Sequence, residues 1–219
     1  MPRKRYIFLA IYIGSILLFL VLVHIYLSHR LIHVSLPANF KNEAVVLSYK
    51  YTPSFLFLKK GYTLKDCEMT GISILVKNTW YFSSDHSGSI KTCYITVEPL
   101  QKEGTFKTGI TIEIVDDYAN KTQIPIQEYV YNYMKDLKNE ELNVPIQRFE
   151  KDNFIGYSNS LIQTDEIGQY KKKKYVTALA NIKTNTLYIL SYETPIGEEK
   201  THQEALQNSI SAISLDTLH

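Results

Sequence analysis

Several tracts carry side chains from which a chemical site could be built. Ser84-Asp85-His86-Ser87 brings hydroxyl, carboxylate and imidazole groups together, the residue types of nucleophilic hydrolysis. A triad needs those groups to converge on one point, whereas consecutive residues of an extended chain point apart. The tract Ser83–Ser89 is therefore expected to be a polar loop, not a catalytic centre. His24, His29 and His33 follow a His-x4-His-x3-His spacing that one helical face could gather. No carboxylate or cysteine stands beside them to complete a zinc ligand set, so headgroup-level or linker positions are expected. Asp116-Asp117 closes an alternating strand without the loop of alternating oxygen ligands that calcium needs.

Two further groups concern stability and contact rather than catalysis. Cys67 and Cys93 are the only cysteines. Their spacing is wrong for a redox C-x-x-C pair, and no histidine cluster accompanies them for zinc. In an oxidising compartment they can bridge, closing a loop worth about 3–4 kcal/mol of chain entropy; two free buried thiols are the alternative. Lys171, Lys172, Lys173 and Lys174 form the strongest charge run. They read as a basic contact patch for an acidic partner or anionic headgroups, or as a solvated strand start at a sheet edge, faced by Asp165 and Glu166. Tyr188 and Tyr192 share one face of a strand with Leu190 between them. They form an aromatic contact surface if the last helix leaves that face open, and core otherwise. The chain has no G-x-S-x-G, H-E-x-x-H, G-x-x-x-x-G-K or G-x-G-x-x-G motif. No catalytic role, cofactor or metal is expected.

The elements that must position these residues begin with an apolar run. Tyr6–Val23 carries no charge over eighteen residues, and His24-Ile25-Tyr26-Leu27 extends it. About twenty residues at 1.5 Å each span a hydrocarbon core of about 30 Å. The run is too long for a signal peptide, and bulky residues follow it where a small-residue cleavage site would lie. An uncleaved anchor through Tyr6–Leu27 is expected, with the basic tip Arg3-Lys4-Arg5 in the cytoplasm and the remainder outside it. Four bases (Arg3, Lys4, Arg5, Arg30) flank the anchor and every acid lies beyond it, so the rest holds 20 bases against 22 acids. That balance argues against a nucleic-acid partner. Residues 1–30 are thus read as tip and anchor, 31–43 as a juxtamembrane linker and 44–219 as one extracytoplasmic domain.

Within the domain, strands are predicted over Glu43–Thr52, Ser54–Lys59, Ile72–Lys77, Lys91–Val97 and Ile110–Val115. The last alternates strictly, with Ile110, Ile112 and Ile114 on one side and Thr111 and Glu113 on the other. Ile126, Tyr129, Val130, Tyr133, Met134 and Leu137 make one apolar helical stripe with Pro125 at its start. Gln147–Lys151, Asn153–Gln163, Lys174–Lys183 and Leu187–Thr194 read as strands, the last two flanking a hairpin-sized loop. A closing helix is predicted over about Lys200–Ile213, with Thr201 and Glu204 as its capping box. The fold class expected is α+β, a mainly antiparallel sheet flanked by two amphipathic helices and preceded by one transmembrane helix.

The second half carries a resemblance. The strand ITIEIVDD leads to the helix PIQEYVYNYMKDLK, then to FIGYSN with Gly156. The hairpin KKYVTALANIKTNTLYILSYETP and a helix ending SISAISL follow. Over Gly109–Leu215, about half the chain, this order resembles the PsbP/Mog-like α+β family and its membrane-anchored bacterial relatives. The first half departs from it, and Trp80 is not where the family's opening proline and tryptophan would place it. The resemblance implies a mostly non-enzymatic protein that binds or stabilises larger assemblies. The function expected is a membrane-tethered extracytoplasmic binding or assembly module of the cell envelope, with a protein partner. A divergent envelope hydrolase and a structural subunit of a secretion or transport apparatus are the competing readings.

Overall fold

The computed structural model describes residues 2–35, 46–48, 60–67, 72–101, 105–137, 146–151, 153–164, 170–211 and 213–216. The chain opens with helix α1 (Pro2–Arg30), whose described side chains run from Ile11 to Tyr26, and continues into strand β1 (Leu31–Ser35). Among the described residues no helix is long and apolar enough to cross a membrane. Strand β2 (Val46–Ser48) pairs with β1. The rest of the strand predicted over Glu43–Thr52, and all of Ser54–Lys59, lie outside the described residues.

Two hairpins follow. Strands β3 (Tyr62–Cys67) and β4 (Ile72–Lys77) form a separate two-stranded sheet. Strands β5 (Tyr81–Ser87) and β6 (Ile90–Thr96) turn through Gly88 at φ +61. A two-residue connection of this kind needs a residue with positive φ, which glycine adopts without steric cost. The polar tract expected as a loop is thus a strand. As the outermost member of its sheet, β5 is held through backbone pairing to β6 and needs no buried side-chain row.

The remaining elements are β7 (Gly109–Val115), short helix α2 (Tyr118–Thr122), α3 (Ile126–Asp136), β8 (Gln147–Lys151), β9 (Phe154–Thr164), β10 (Lys171–Asn181), β11 (Thr186–Pro195), α4 (Glu199–Ser211) and β12 (Ser214–Asp216). Seven strands form one antiparallel sheet in the order β5-β6-β7-β11-β10-β9-β8, while β12, β1 and β2 make a small third sheet. The class is therefore α+β with an antiparallel main sheet, as the strand spacing predicts.

Two apolar layers sandwich the main sheet. On one face Ile110, Ile112 and Ile114 join Cys93, Ile95, Leu179 and Tyr188 beneath β4 and α4, which add Ile72, Ile74, Leu206 and others. On the opposite face α3 lays Ile126, Val130 and Met134 over Val176, Ala178 and Ala180. Pro125 is the N-cap of α3, as its place before the apolar stripe implies. The α4 cap differs from expectation, because the helix begins two residues before Thr201. There the Glu199 carboxylate accepts from the Gly197 backbone N–H at 2.8 Å.

Local chemistry fixes the registers. Asn181 is fully buried, and its Oδ1 accepts from the backbone N–H of Lys183 (3.1 Å) and Thr184 (3.3 Å), which shapes the β10–β11 turn. At Gly109 a Cβ would lie 2.5 Å from the Ile95 carbonyl oxygen. Only glycine lets β7 start that close to β6.

Candidate functional site

The apolar stripe of α3 sets where the polar site lies. The helix packs over β9 and β10, so the β5-β6-β7 end of that sheet face is left to polar side chains. Period-two alternation puts Glu113 and Thr111 there, opposite the isoleucines. Strand pairing then fixes a transverse row: Asp85 of β5 lies opposite Thr92 of β6, which lies opposite Glu113 of β7. A second row runs Ser83, Tyr94, Thr111, Ser191. From α3, Tyr129 and Tyr133 lean over the same region, with ring centroids 5.9 Å apart, and Tyr118 stands 4.5 Å from Tyr129. Tyr94 is steadied by an edge contact with Phe106 at 6.5 Å. The result is a polar patch that holds the Glu113 carboxylate, with tyrosines on the neighbouring strand and on α3.

Electrostatics mark it out. Burial pushes the Glu113 carboxyl above its ordinary value, and Lys174 acts in the opposite sense. Burial raises Tyr133 to about 12, aided by the negative field of Glu113. Tyr129 also rises to about 12, through burial first, then its contact with Tyr118, then Glu113. Tyr94 is raised by burial and by the charges of Glu113 and Asp85. The rings therefore stay neutral at physiological pH.

A stability prediction follows from the raised Glu113. A group whose pKa is higher folded than unfolded contributes stability at low pH, which is lost as pH rises through the folded value. Glu113→Gln is thus expected to raise the unfolding temperature at neutral pH relative to the parent chain. The advantage should shrink as pH falls towards the ordinary carboxyl value of 4.5. Thermal melts of both proteins across pH 4–7 check it; a destabilised glutamine variant at pH 7 would show the carboxylate to be a net support of the fold.

Other candidate groups are dispersed. Asp85 Oδ1 accepts from the His86 backbone N–H at 2.8 Å, and His86 Nε2 lies 2.9 Å from the Gly88 carbonyl oxygen. Both side chains thus bond back to their own hairpin, and they sit on opposite faces of β5. Asp116 is engaged by Lys91 at 2.5 Å, and Asp117 Oδ1 accepts from Asn120 at 2.6 Å, so the pair finishes a turn. His24 lies exposed on α1; the side chains of His29 and His33 lie outside the described ones. No cluster of three or more metal-ligating side chains occurs among the described residues. Cys67 and Cys93 are buried and joined as a disulfide, with Cα atoms 5.9 Å apart.

Two contact surfaces expected from the sequence need correction. Tyr188 and Tyr192 are not a surface: they are 6% and 2% exposed, under the layer that includes Leu206 of α4. Tyr188 lies 6.3 Å from Phe154, and Tyr192 stacks on Tyr175 at 5.9 Å. Lys171 to Lys174 are not on an edge, because β10 lies between β9 and β11. Nor do they face one way. Lys172 and Lys174 reach the mostly buried Glu193 on the α3 face, at 3.0 and 3.9 Å, while Lys173 lies 5.0 Å above the Tyr175 ring. The polar patch around Glu113 escaped sequence reading, although Glu113 lies on the polar side of Ile110–Val115.

No known family model matches the chain, and no curated protein matches it. A crystal structure at 1.50 Å resolution from Bacteroides thetaiotaomicron VPI-5482 is similar over 66% of this chain and 44% of that one, with 10% identity and a TM-score of 0.38. This chain thus spans less than half the length of that protein, and a likeness of that degree carries no functional argument.

Proposed function

We propose that the chain is a single-pass membrane protein whose domain acts outside the cytoplasm as a non-catalytic binding or assembly module of the cell envelope. One observation carries the tether. Twelve large apolar side chains of α1, among them Ile11, Leu18 and Phe19, are exposed, Phe19 by 65%. They include the unbroken run Ile16–Leu22, so no face of that stretch is covered by the other described residues. Leaving each such side chain in water forgoes about 1.5–3 kcal/mol of burial. Twelve of them sum to about 20 kcal/mol or more, beyond the 5–15 kcal/mol net stability of an ordinary domain. Hydrocarbon removes that penalty. The uncharged run continues in sequence to Tyr6 and Leu27, a length that suits a bilayer. The tip Arg3-Lys4-Arg5 favours a cytoplasmic N-terminus, and the Cys67–Cys93 disulfide suits an oxidising compartment. The element order read in the sequence over Gly109–Leu215 resembles the PsbP/Mog-like proteins, whose members mostly bind or stabilise larger assemblies. Hydrolysis is disfavoured by Asp85 and His86 being turned back onto their hairpin.

Replacing Leu17 and Leu18 together by arginine tests the tether, since each charge at a helix centre costs about 2.5–3.5 kcal/mol on insertion. The parent chain is expected in carbonate-washed membranes, with a reporter fused after His219 active only outside the cytoplasm. The double variant is expected to leave the membrane fraction. Recovery of the parent chain from lipid-free cytosol would defeat the proposal.

A further inference from the structure

Among the described residues the main sheet ends in two outermost strands, β5 and β8. The outer side of such a strand is a row of backbone N–H and C=O groups that can template pairing with another chain. Charged side chains block that pairing where like charges would meet and favour it where opposite charges meet. Strand β8, Gln147-Arg148-Phe149-Glu150-Lys151, carries a cation and an anion on either side of Phe149. Their side chains are exposed, Arg148 by 59% and Glu150 by 56%, and bridge each other at 2.8 Å. Both lie on the α3 face, because Arg148 stands opposite Tyr157 and Glu150 opposite Ile155 of β9. Tyr131 of α3, 46% exposed with its ring 5.5 Å from that of Tyr157, adds an aromatic surface beside this edge.

A strand that pairs antiparallel with its own copy about a twofold axis normal to the sheet places one residue opposite itself. Centred on Phe149, the pairing sets Arg148 of each copy opposite Glu150 of the other. Centred on Arg148 it sets arginine against arginine, and centred on Glu150 it sets carboxylate against carboxylate. The charges therefore select one register and disfavour its neighbours. Strand β5 has no such pattern, since Asp85 is its only Asp, Glu, Lys or Arg. We propose that two copies of this chain associate through β8, antiparallel and centred on Phe149, so that their main sheets run on into each other. Five residues a side make a short contact, and the association is weak and reversible. Copies tethered in one membrane meet at a raised effective concentration, which favours it.

Sedimentation equilibrium of the full chain in detergent micelles, from about 1 μM to 1 mM, covers the range of weak complexes. The parent chain is expected to dimerise reversibly within it. Arg148→Glu and Glu150→Arg each set like charges opposite one another, and each should weaken dimerisation about tenfold or more. The double variant Arg148→Glu/Glu150→Arg should return to within about threefold of the parent. An equimolar mixture of the two single variants should form mixed dimers more tightly than either variant pairs with itself. Recovery in the double variant and in the mixture separates lost pairing from misfolding. A parent chain that stays monomeric, or a dimer indifferent to the single charge reversals, would overturn the proposal; so would single variants that fail to pair when mixed. Micelles read this association wherever the chain resides, so the tether and the β8 contact can fail separately.

Discussion

Phe154→Ala is expected to lower the unfolding free energy by about 3–5 kcal/mol, the usual cost of deleting a buried aromatic ring. Phe154 is fully buried at the start of β9 and stands opposite Asn181 of β10, its ring centred 6.3 Å from that of Tyr188. Its removal would leave a void in the layer formed with Leu179 and the β7 isoleucines. Packed β-sheet neighbours on both sides limit how far that void can collapse. Ile196→Ala, in the exposed turn after β11, is the matched control and should change stability by no more than about 0.5 kcal/mol. Urea unfolding of the full chain in a mild detergent compares the two. A Phe154→Ala midpoint equal to that of the control would mean that the Phe154 layer contributes little.

That layer was largely legible in the sequence, and the reason is geometric. Burial on one face of a sheet or helix imposes a period, and the period is visible in Ile110, Ile112 and Ile114 and in the α3 stripe. Strands β10 and β11 are buried on both sides over Val176–Asn181 and Thr186–Thr194 because helices or strands cover both faces there. Features that obey no burial period were misread. Strand β5 is polar because an outermost strand is held by backbone pairing, so Ser83–Ser87 looks like a loop. Lys171–Lys174 looked like an edge. Their strand is interior, and what tolerates lysine there is Glu193 on β11, a partner 21 residues away from Lys172. Tyr188 and Tyr192 carried no mark distinguishing a covered face from an open one. That depends on where α4 settles, which alternation does not encode. The polar patch around Glu113 was illegible for the same reason. Glu113 is marked only as the polar side of an alternating strand. The placing of the α3 tyrosines depends on where that helix settles, over β9 and β10.

Reduction of Cys67–Cys93, or replacement of both by alanine, is expected to remove about 3.5 kcal/mol, the chain-entropy value for a bridge across this separation. The separation is 26 residues. The structural context explains why so local a change should matter. Among the described residues, strands β3 and β4 pair only with each other, and an isolated two-stranded hairpin is marginal in water. Among the described residues, the hairpin meets the main sheet through the apolar contact of Ile72, Ile74 and Val76 with the layer around Ile95 and Ile112 and through the bond from Cys67 at the end of β3 to Cys93 within β6, while its Tyr62 hydroxyl accepts from Asn208 of α4 at 3.0 Å. Without the bond the hairpin keeps its apolar contact but gains freedom in the unfolded chain and in local openings. Two readouts separate these effects. With a urea dependence of about 1–3 kcal/mol per molar, the unfolding midpoint should fall by about 1.2–3.5 M on adding reductant. Amide exchange should accelerate more in Tyr62–Lys77 than in the interior strand β10. A midpoint indifferent to reductant would show that the remaining contacts secure the hairpin without the bond. Because both sulfurs are buried, the bond should resist reductant until the hairpin opens, so the time course of thiol labelling should follow the exchange of Tyr62–Lys77.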